Sequence, residues 1–415
     1  MALTTTWAVS IGDATATTSF TSRVLGMSID QQVDVNVIGR GTCTITLLNK
    51  DGALTPGGGG TYSTTDWFAL GVFVSATISD GTSTTVQVFH GLINDFQLID
   101  DGVFSTVQIT ALDGLTVAGR APANNFPAST FSYDNALSYG TAALYAQWPR
   151  LGGLTGALGV INRLSGSNPN VTATTETFSS TADILQSAII PSANDVCWAT
   201  IIELIPGTVE YRIASIPDTN TRTVANSDDL EFDPPASLSG SKLPFDADTF
   251  KQAFNNDTLI STATIDGLVA GTSSQTATSA NLNNYGARTV SFTSTFSPDD
   301  TYSLNMANKL VNRYGNTRFT PTSLQTSASL VKARAADAAK SKWAALLSIQ
   351  NGIWQKAKIT WTGSGAASQT AYCVIKGRNI NVTPDDTLVT LSLGNWADNH
   401  SFILDTDQLD TDRLG

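Results

Sequence analysis

Glutamate is nearly missing from this sequence: only four of its 35 acidic residues, the other 31 being aspartate. Aspartate favours turns and glutamate favours helices, so the imbalance points to a β-rich chain. Charge of either sign is scarce at 14% of residues, and threonine, serine, asparagine and glycine fill the polar surface instead. Histidine occurs only at His90 and His400, neither within a motif. His90 alternates with Phe89 in an expected strand and reads as a packed or surface residue. No GxSxG, HExxH, phosphate-loop or GxGxxG pattern is present, which removes the common catalytic and nucleotide-binding classes. The three cysteines, Cys43, Cys197 and Cys373, lie far apart and match neither a metal spacing nor a disulfide framework. Buried free thiols are expected. No basic and apolar leader and no run of about 18 apolar residues is seen, so no membrane span is expected. Synthesis and folding in a cytoplasm follow as expectations.

What is present is β pattern. Thr42, Thr44 and Thr46 alternate with Cys43, Ile45 and Leu47, the period of a half-buried strand. Alternating or apolar runs near 35–48, 72–79, 85–93 and 103–112 are separated by Asp51-Gly52, Asp80-Gly81, Asp101-Gly102 and Asp113-Gly114, strong hairpin signals. Residues 1–120 therefore read as an antiparallel barrel or sandwich. Residues 121–179 are a connecting insertion with a weak helix near 135–147. Residues 180–248 form a small α+β unit and linker, with a short helix from Ser180 or Thr181 to Ile190 and a hairpin turning at Pro206-Gly207. Residues 249–396 return to β pattern, interrupted by helices over 299–314 and over "LVKARAADAAKSKWAALLSI". Residues 397–415 are an acidic tail. The fold class is mainly β (α+β).

Candidate chemistry is thin. Glu203 and Glu210 make a glycosidase pair only arithmetically, because both flank the expected turn and read as cross-strand neighbours. Asp405, Asp407, Asp410 and Asp412 miss the glycine and glutamate of a calcium loop. No catalytic residue, cofactor or metal is assigned, and no enzyme is expected. Charge is unevenly placed: residues 1–300 sum to −16, 301–378 to +10 and 379–415 to −6. Such a chain can attract its own copies, or its basic face can pair with acids of the same chain. The candidate inter-subunit contacts are Lys332, Arg334, Lys340 and Lys342 on the basic helix, with Gly57, Gly58, Gly59 and Gly60 in a loop free enough to adapt. Trp343, Trp354 and Trp361 interleave with the basic block as single-strand binders do, but strand tryptophans more often fill a core. Tyr133, Tyr139, Tyr145 and Trp148 are the aromatics a carbohydrate-binding surface would use.

A faint repeat links "VFHGLINDFQLIDDGVFSTVQITALDG" from Val88 with "VIKGRNINVTPDDTLVTLSLGN" from Val374. It pairs Gly91 with Gly377 and Asp100-Asp101 with Asp385-Asp386. Leu47-Leu48-Asn49-Lys50-Asp51-Gly52, Gly91-Leu92-Ile93 and Ala111-Leu112-Asp113-Gly114-Leu115 occur in the order seen in minor tail proteins of long-tailed bacteriophages. "NNYGARTVSF", "NMANKLVNRYGNTRFTPTSL" and the last hairpin continue the resemblance, which covers about 1–120 and 250–395. It implies two tube-like barrels per chain and a homotrimeric tail-tip or baseplate hub in the virion. Such a hub adapts sixfold tail rings to a threefold tip. Implied partners are the distal tail ring, tail tube, tape measure protein and tip or fibre proteins. Viral DNA would pass through without specific binding. A receptor- or carbohydrate-binding tail component is the alternative.

Overall fold

The computed structural model describes residues 6–12, 17–34, 37–57, 59–60, 62, 73–79, 85–100, 105–113, 130–132, 159–162, 170–172, 197–205, 208–215, 230–238, 240–254, 259–267, 272–280, 282, 286–294, 300–315, 319–334, 339–349, 355–362 and 368–395. The N-terminal part holds β1 (Thr6–Gly12), β2 (Thr17–Ser19), β3 (Val24–Asp34), β4 (Val37–Leu48), β5 (Phe73–Ser79), β6 (Thr85–Asp100) and β7 (Ser105–Leu112). The middle holds β8 (Thr130–Ser132), β9 (Gly159–Asn162), β10 (Asn170–Thr172), β11 (Cys197–Ile205) and β12 (Thr208–Ser215). Next come β13 (Leu230–Asp233), β14 (Leu243–Pro244), β15 (Lys251–Phe254), β16 (Thr262–Gly267), β17 (Gln275–Thr278), β18 (Thr289–Ser294) and α1 (Asp300–Tyr314). The chain ends in β19 (Phe319–Ser327), α2 (Ala328–Arg334), α3 (Ala339–Leu347), β20 (Lys356–Thr362), β21 (Ser368–Val382) and β22 (Thr387–Asn395).

The mainly β class is what the chain adopts. In β4 the alternation works as read: Cys43, Ile45 and Leu47 are buried and the threonines between them are half-buried. Strand pairing orders the N-terminal set β1–β5–β6–β7–β4–β3, with β2 beside β1. It orders the C-terminal set β13–β20–β21–β22–β19–β15, with β14 beside β13. Numbered within each set, both orders are the same: first, fourth, fifth, sixth, third, second. The sets differ at their first strands, since β1 runs antiparallel to β5 whereas β13 runs parallel to β20. Among the described residues no pairing joins the two ends of either set.

The matching order makes the repeat concrete, in a register different from the one the glycines suggest. A bulge interrupts β6 between Ile93 and Asp95, opposite β7, and β21 between Ile375 and Gly377, opposite β22. Beyond it Asp95–Asp100 and Gly377–Val382 each run to the end of their pairing with the next strand, at Ser105 and Thr387. Asn94 and Lys376 are therefore equivalent, and the counterpart of Gly377 is Asp95, not Gly91.

One apolar cluster spans both sets, from Val9 and Ile29 through Val88 and Ile109 to Trp343, Ile359 and Leu391. Cys43 and Cys373 are free and buried within it, and burial pushes the Cys43 thiol well above its usual range. Trp343 and Trp361 are core residues. A second cluster packs Met306, Ala307, Leu310 and Val311 of α1 on Ala263, Ile265 and Ala277 of the β16–β17–β18 sheet. Where one basic helix was expected, α2 and α3 are separate helices, with residues 335–338 outside the described set. The helices expected near 135–147 and 180–190, the four middle-region aromatics, Trp354 and the acidic tail also lie outside it.

Candidate interaction surface

The two ladders meet along one strand pair. β21 is long enough to serve two partners on the same edge. It pairs β20 as far as Val374 and β3 from Gly377 to Val382, the last opposite Met27. Arg378, only 2% exposed, fixes this junction. Its Nε donates to Gln31 Oε1 on β3 at 2.6 Å. Its Nη1 donates to the carbonyls of Leu346 and Ser348 at the end of α3, where helix carbonyls lack intrahelical partners. Asp113 is buried in the same corner: a Cβ at Gly41 would lie 3.1 Å from both its Oδ2 and Gln31 Cγ. Burial pulls the Arg378 guanidinium down to about 9, so it still carries its charge at neutral pH.

The four-glycine segment has defined geometry at its described positions. Asn49 organises the turn before it, accepting from Leu54 N at 2.8 Å and donating to Thr55 Oγ1 and Ser105 Oγ. Arg23 grips Asp51 with two hydrogen bonds of 2.8 and 2.6 Å. That guanidinium, with the Ala53 amide, holds the Asp51 carboxyl well below the usual carboxylate range. Gly57 and Gly59 adopt φ of 70° and 73°, left-handed values that suit glycine. A Cβ at Gly60 would sit 2.5 Å from Ala53 Cα, so that position is a close backbone approach. Tyr62 donates its amide to Ala53 O and packs its ring, tilted by 57°, against Phe20 at 5.0 Å. Gly58 lies outside the described residues. The segment is a shaped hook on the sheet.

Of the basic candidates, Lys332 is exposed on α2 and Lys342 is half-buried on α3. Arg334 and Lys340 lie in the same two helices, but their side chains are outside the described set. Asp386 in the last hairpin turn accepts from Ser329 N at 2.9 Å and from Ser329 Oγ, tying the start of α2 to the sheet. Both candidate segments follow the third strand of their repeat: the glycine hook joins β4 to β5, and α2–α3 join β19 to β20. They are one topological position elaborated in two ways, which no local pattern in the sequence could signal.

Other sequence candidates are not assembled into a site. Pairing on the β11–β12 hairpin places Glu203 opposite Val209 and Glu210 opposite Ile202, one pair apart. His90 is buried in β6. Among the described residues no group of three or more metal-ligating side chains occurs, and no helix is long and apolar enough to cross a membrane.

No protein-family model and no curated protein sequence matches the chain. Solved structures do. A tail protein from Neisseria meningitidis MC58 aligns over 94% of this chain and 98% of its own, at TM-score 0.56 and 12% identity. The 43 kDa tail protein of prophage MuSo2 from Shewanella oneidensis aligns over the same shares, at TM-score 0.51 and 8% identity. The chain has the fold of these tail proteins over nearly its whole length.

Two outcomes follow. Arg378→Ala leaves three buried acceptors without their donor and should cost about 3 kcal/mol in urea unfolding, with the slope unchanged. Asp51→Asn tests the hook. A depressed native carboxyl pKa contributes stability that is present above the unfolded value, about 3.9, and is lost as pH falls through the lower native one. The variant should unfold at lower urea than the parent at neutral pH, and the gap should close below about pH 4.

Proposed function

We propose that this protein is a structural component of a phage-type tail, a homotrimeric hub at the tail tip that adapts sixfold tail rings to a threefold tip. The observation that carries the reading is the duplicated strand order, joined within the chain by the β3–β21 ladder. Two like units per chain give three chains six like units, which is the match a sixfold ring needs. The full-length fold similarity to two tail proteins supports the tail assignment.

In this reading the glycine hook and the α2–α3 pair alternate around the ring, because they occupy the same position in successive units. Neighbours above and below would be the distal tail ring, tail tube and tape measure protein on one side and tip or fibre proteins on the other. The acidic balance, −12 overall, suits a conduit that lets DNA slide without sticking. The +10 block, which includes Lys332, then serves contacts between chains rather than nucleic acid. The chemistry asked of the chain is association, not catalysis.

Light scattering of the purified protein at low and high salt tests the reading. One chain weighs 43.7 kDa. A species of about 130 kDa is expected, three chains of a cyclic oligomer. Loss of mass at high salt would assign its cohesion to charge pairing, whereas a twofold mass would overturn the hub.

A further inference from the structure

The internal repeat lets one corner of the fold be compared in its two copies. Thr110 and Ser392 are equivalent, because they face Asp95 and Gly377 just beyond the matching bulges. Their partners Thr44 and Ser323 are then equivalent. Four residues on, so are Leu48 and Ser327, the last residues of β4 and β19. On the facing side a buried phenylalanine follows each short strand, Phe20 after β2 and Phe245 after β14. Phe20 gives its amide to Val9 O and Phe245 to Asp233 O, in each case on the first strand of the set. The connections that lead on from them, residues 21–23 to β3 and residues 246–250 to β15, therefore correspond.

In the first unit a guanidinium of the same chain fills this corner. Arg23 Nη1 donates to Leu48 O at 3.3 Å, and both terminal nitrogens hold the Asp51 carboxylate, three residues past the strand end. In the second unit the corner is open. A pocket of about 600 Å³ lies between the 246–248 connection, the end of β19 and the start of α2. Ser327, the equivalent of Leu48, lines it, as does Leu330, three residues past the strand end as Asp51 is. The connection carries half-buried Asp246 and exposed Asp248 where the first unit carries Arg23. Asp246 Oδ1 accepts from Asp248 N at 3.1 Å, and among the described residues no basic side chain reaches either carboxylate. Lys332, exposed on α2, does not line the pocket.

We propose that this pocket receives an arginine side chain presented by an exposed segment of a partner protein. Its guanidinium sits on Asp246 and Asp248, and its aliphatic stem lies over Leu330, Ala333 and Leu388. The second unit thereby takes from outside the cation that the first provides from within. The inference rests on the internal repeat and not on the hub reading.

The chemistry of the pocket selects this occupant. Neighbouring carboxylates suit the planar fork of a guanidinium, as Asp51 shows with Arg23. An apolar floor beneath an acidic rim matches a side chain with an apolar stem and a charged head. It does not match a calcium ion, which takes six to eight oxygen ligands, or a nucleic-acid phosphate, which the carboxylates repel. Ligand pockets run from about 300 to 1,000 Å³, so there is room for the residues beside the arginine as well.

The test titrates the full-length protein with a capped peptide, Gly-Ser-Gly-Arg-Gly-Ser-Gly, and follows the peptide by NMR. Binding at one site with a dissociation constant of about 1–10 mM is expected. The same peptide with citrulline for arginine keeps the shape without the charge and should bind at least about fivefold more weakly. Asp246→Asn with Asp248→Asn keeps the side-chain acceptors, so the urea midpoint should stay near that of the parent. Its affinity for the arginine peptide should fall at least about fivefold. Ala333→Trp, at an exposed site of α2, fills the pocket and should weaken binding as much. Equal binding of the citrulline peptide, binding unchanged in both variants, or no binding by the parent at about 20 mM peptide overturns the proposal. A fall in the light-scattering mass of the double asparagine variant means that the pocket holds another copy of the chain, which also overturns it. A parent that scatters as a monomer overturns the hub reading alone, because peptide binding is measured independently of assembly.

Discussion

Everything in this chain hangs on six residues of β21 lying against six of β3, about 350 residues earlier in sequence. That ladder turns two β units into one sheet and lets one apolar cluster run through both. Arg378 makes the junction specific rather than merely cohesive. A buried guanidinium is costly to desolvate, and this one is tolerated because Gln31 and the last carbonyls of α3 accept its protons. The same three contacts set where α3 ends relative to β3, so one side chain aligns a helix of the second unit with a strand of the first.

Given that frame, the units differ in the direction of their first strand and otherwise in their connections. In the first unit β3 and β4 are joined by residues 35–36, whereas the equivalent step from β15 to β19 holds the β16–β17–β18 sheet and α1 with a core of their own. The step after the third strand is a hydrogen-bonded hook in one unit and two helices in the other. A shared strand frame with divergent connections is what the proposed ring of like units would need in order to meet unlike neighbours.

Much of the frame was readable from local pattern. The alternation of β4, β7 and β22 and the helical spacing of α1 agree with the strands and helix that formed, because each depends on neighbours close in sequence. β1 and β3 were not read. β3 carries Gly26 beside a bulge and Gln31 at a buried position, both of which break apolar alternation. Gln31 is satisfied by an arginine 347 positions away, a partner no window can see. The repeat was visible but mis-registered by four residues, since conspicuous glycines and aspartates drew the alignment while the bulges at Asn94 and Lys376 set the true one. The glycine run read as looseness because composition does not reveal Asn49, Arg23 and Tyr62 holding the segment.

Negative-stain electron microscopy of the assembled protein, averaged along its axis, tests most directly whether two like units per chain extend into a ring. The account predicts a closed ring with threefold symmetry and six lobes of similar mass, two from each chain. A particle with a twofold axis, or an open filament of units, would contradict it.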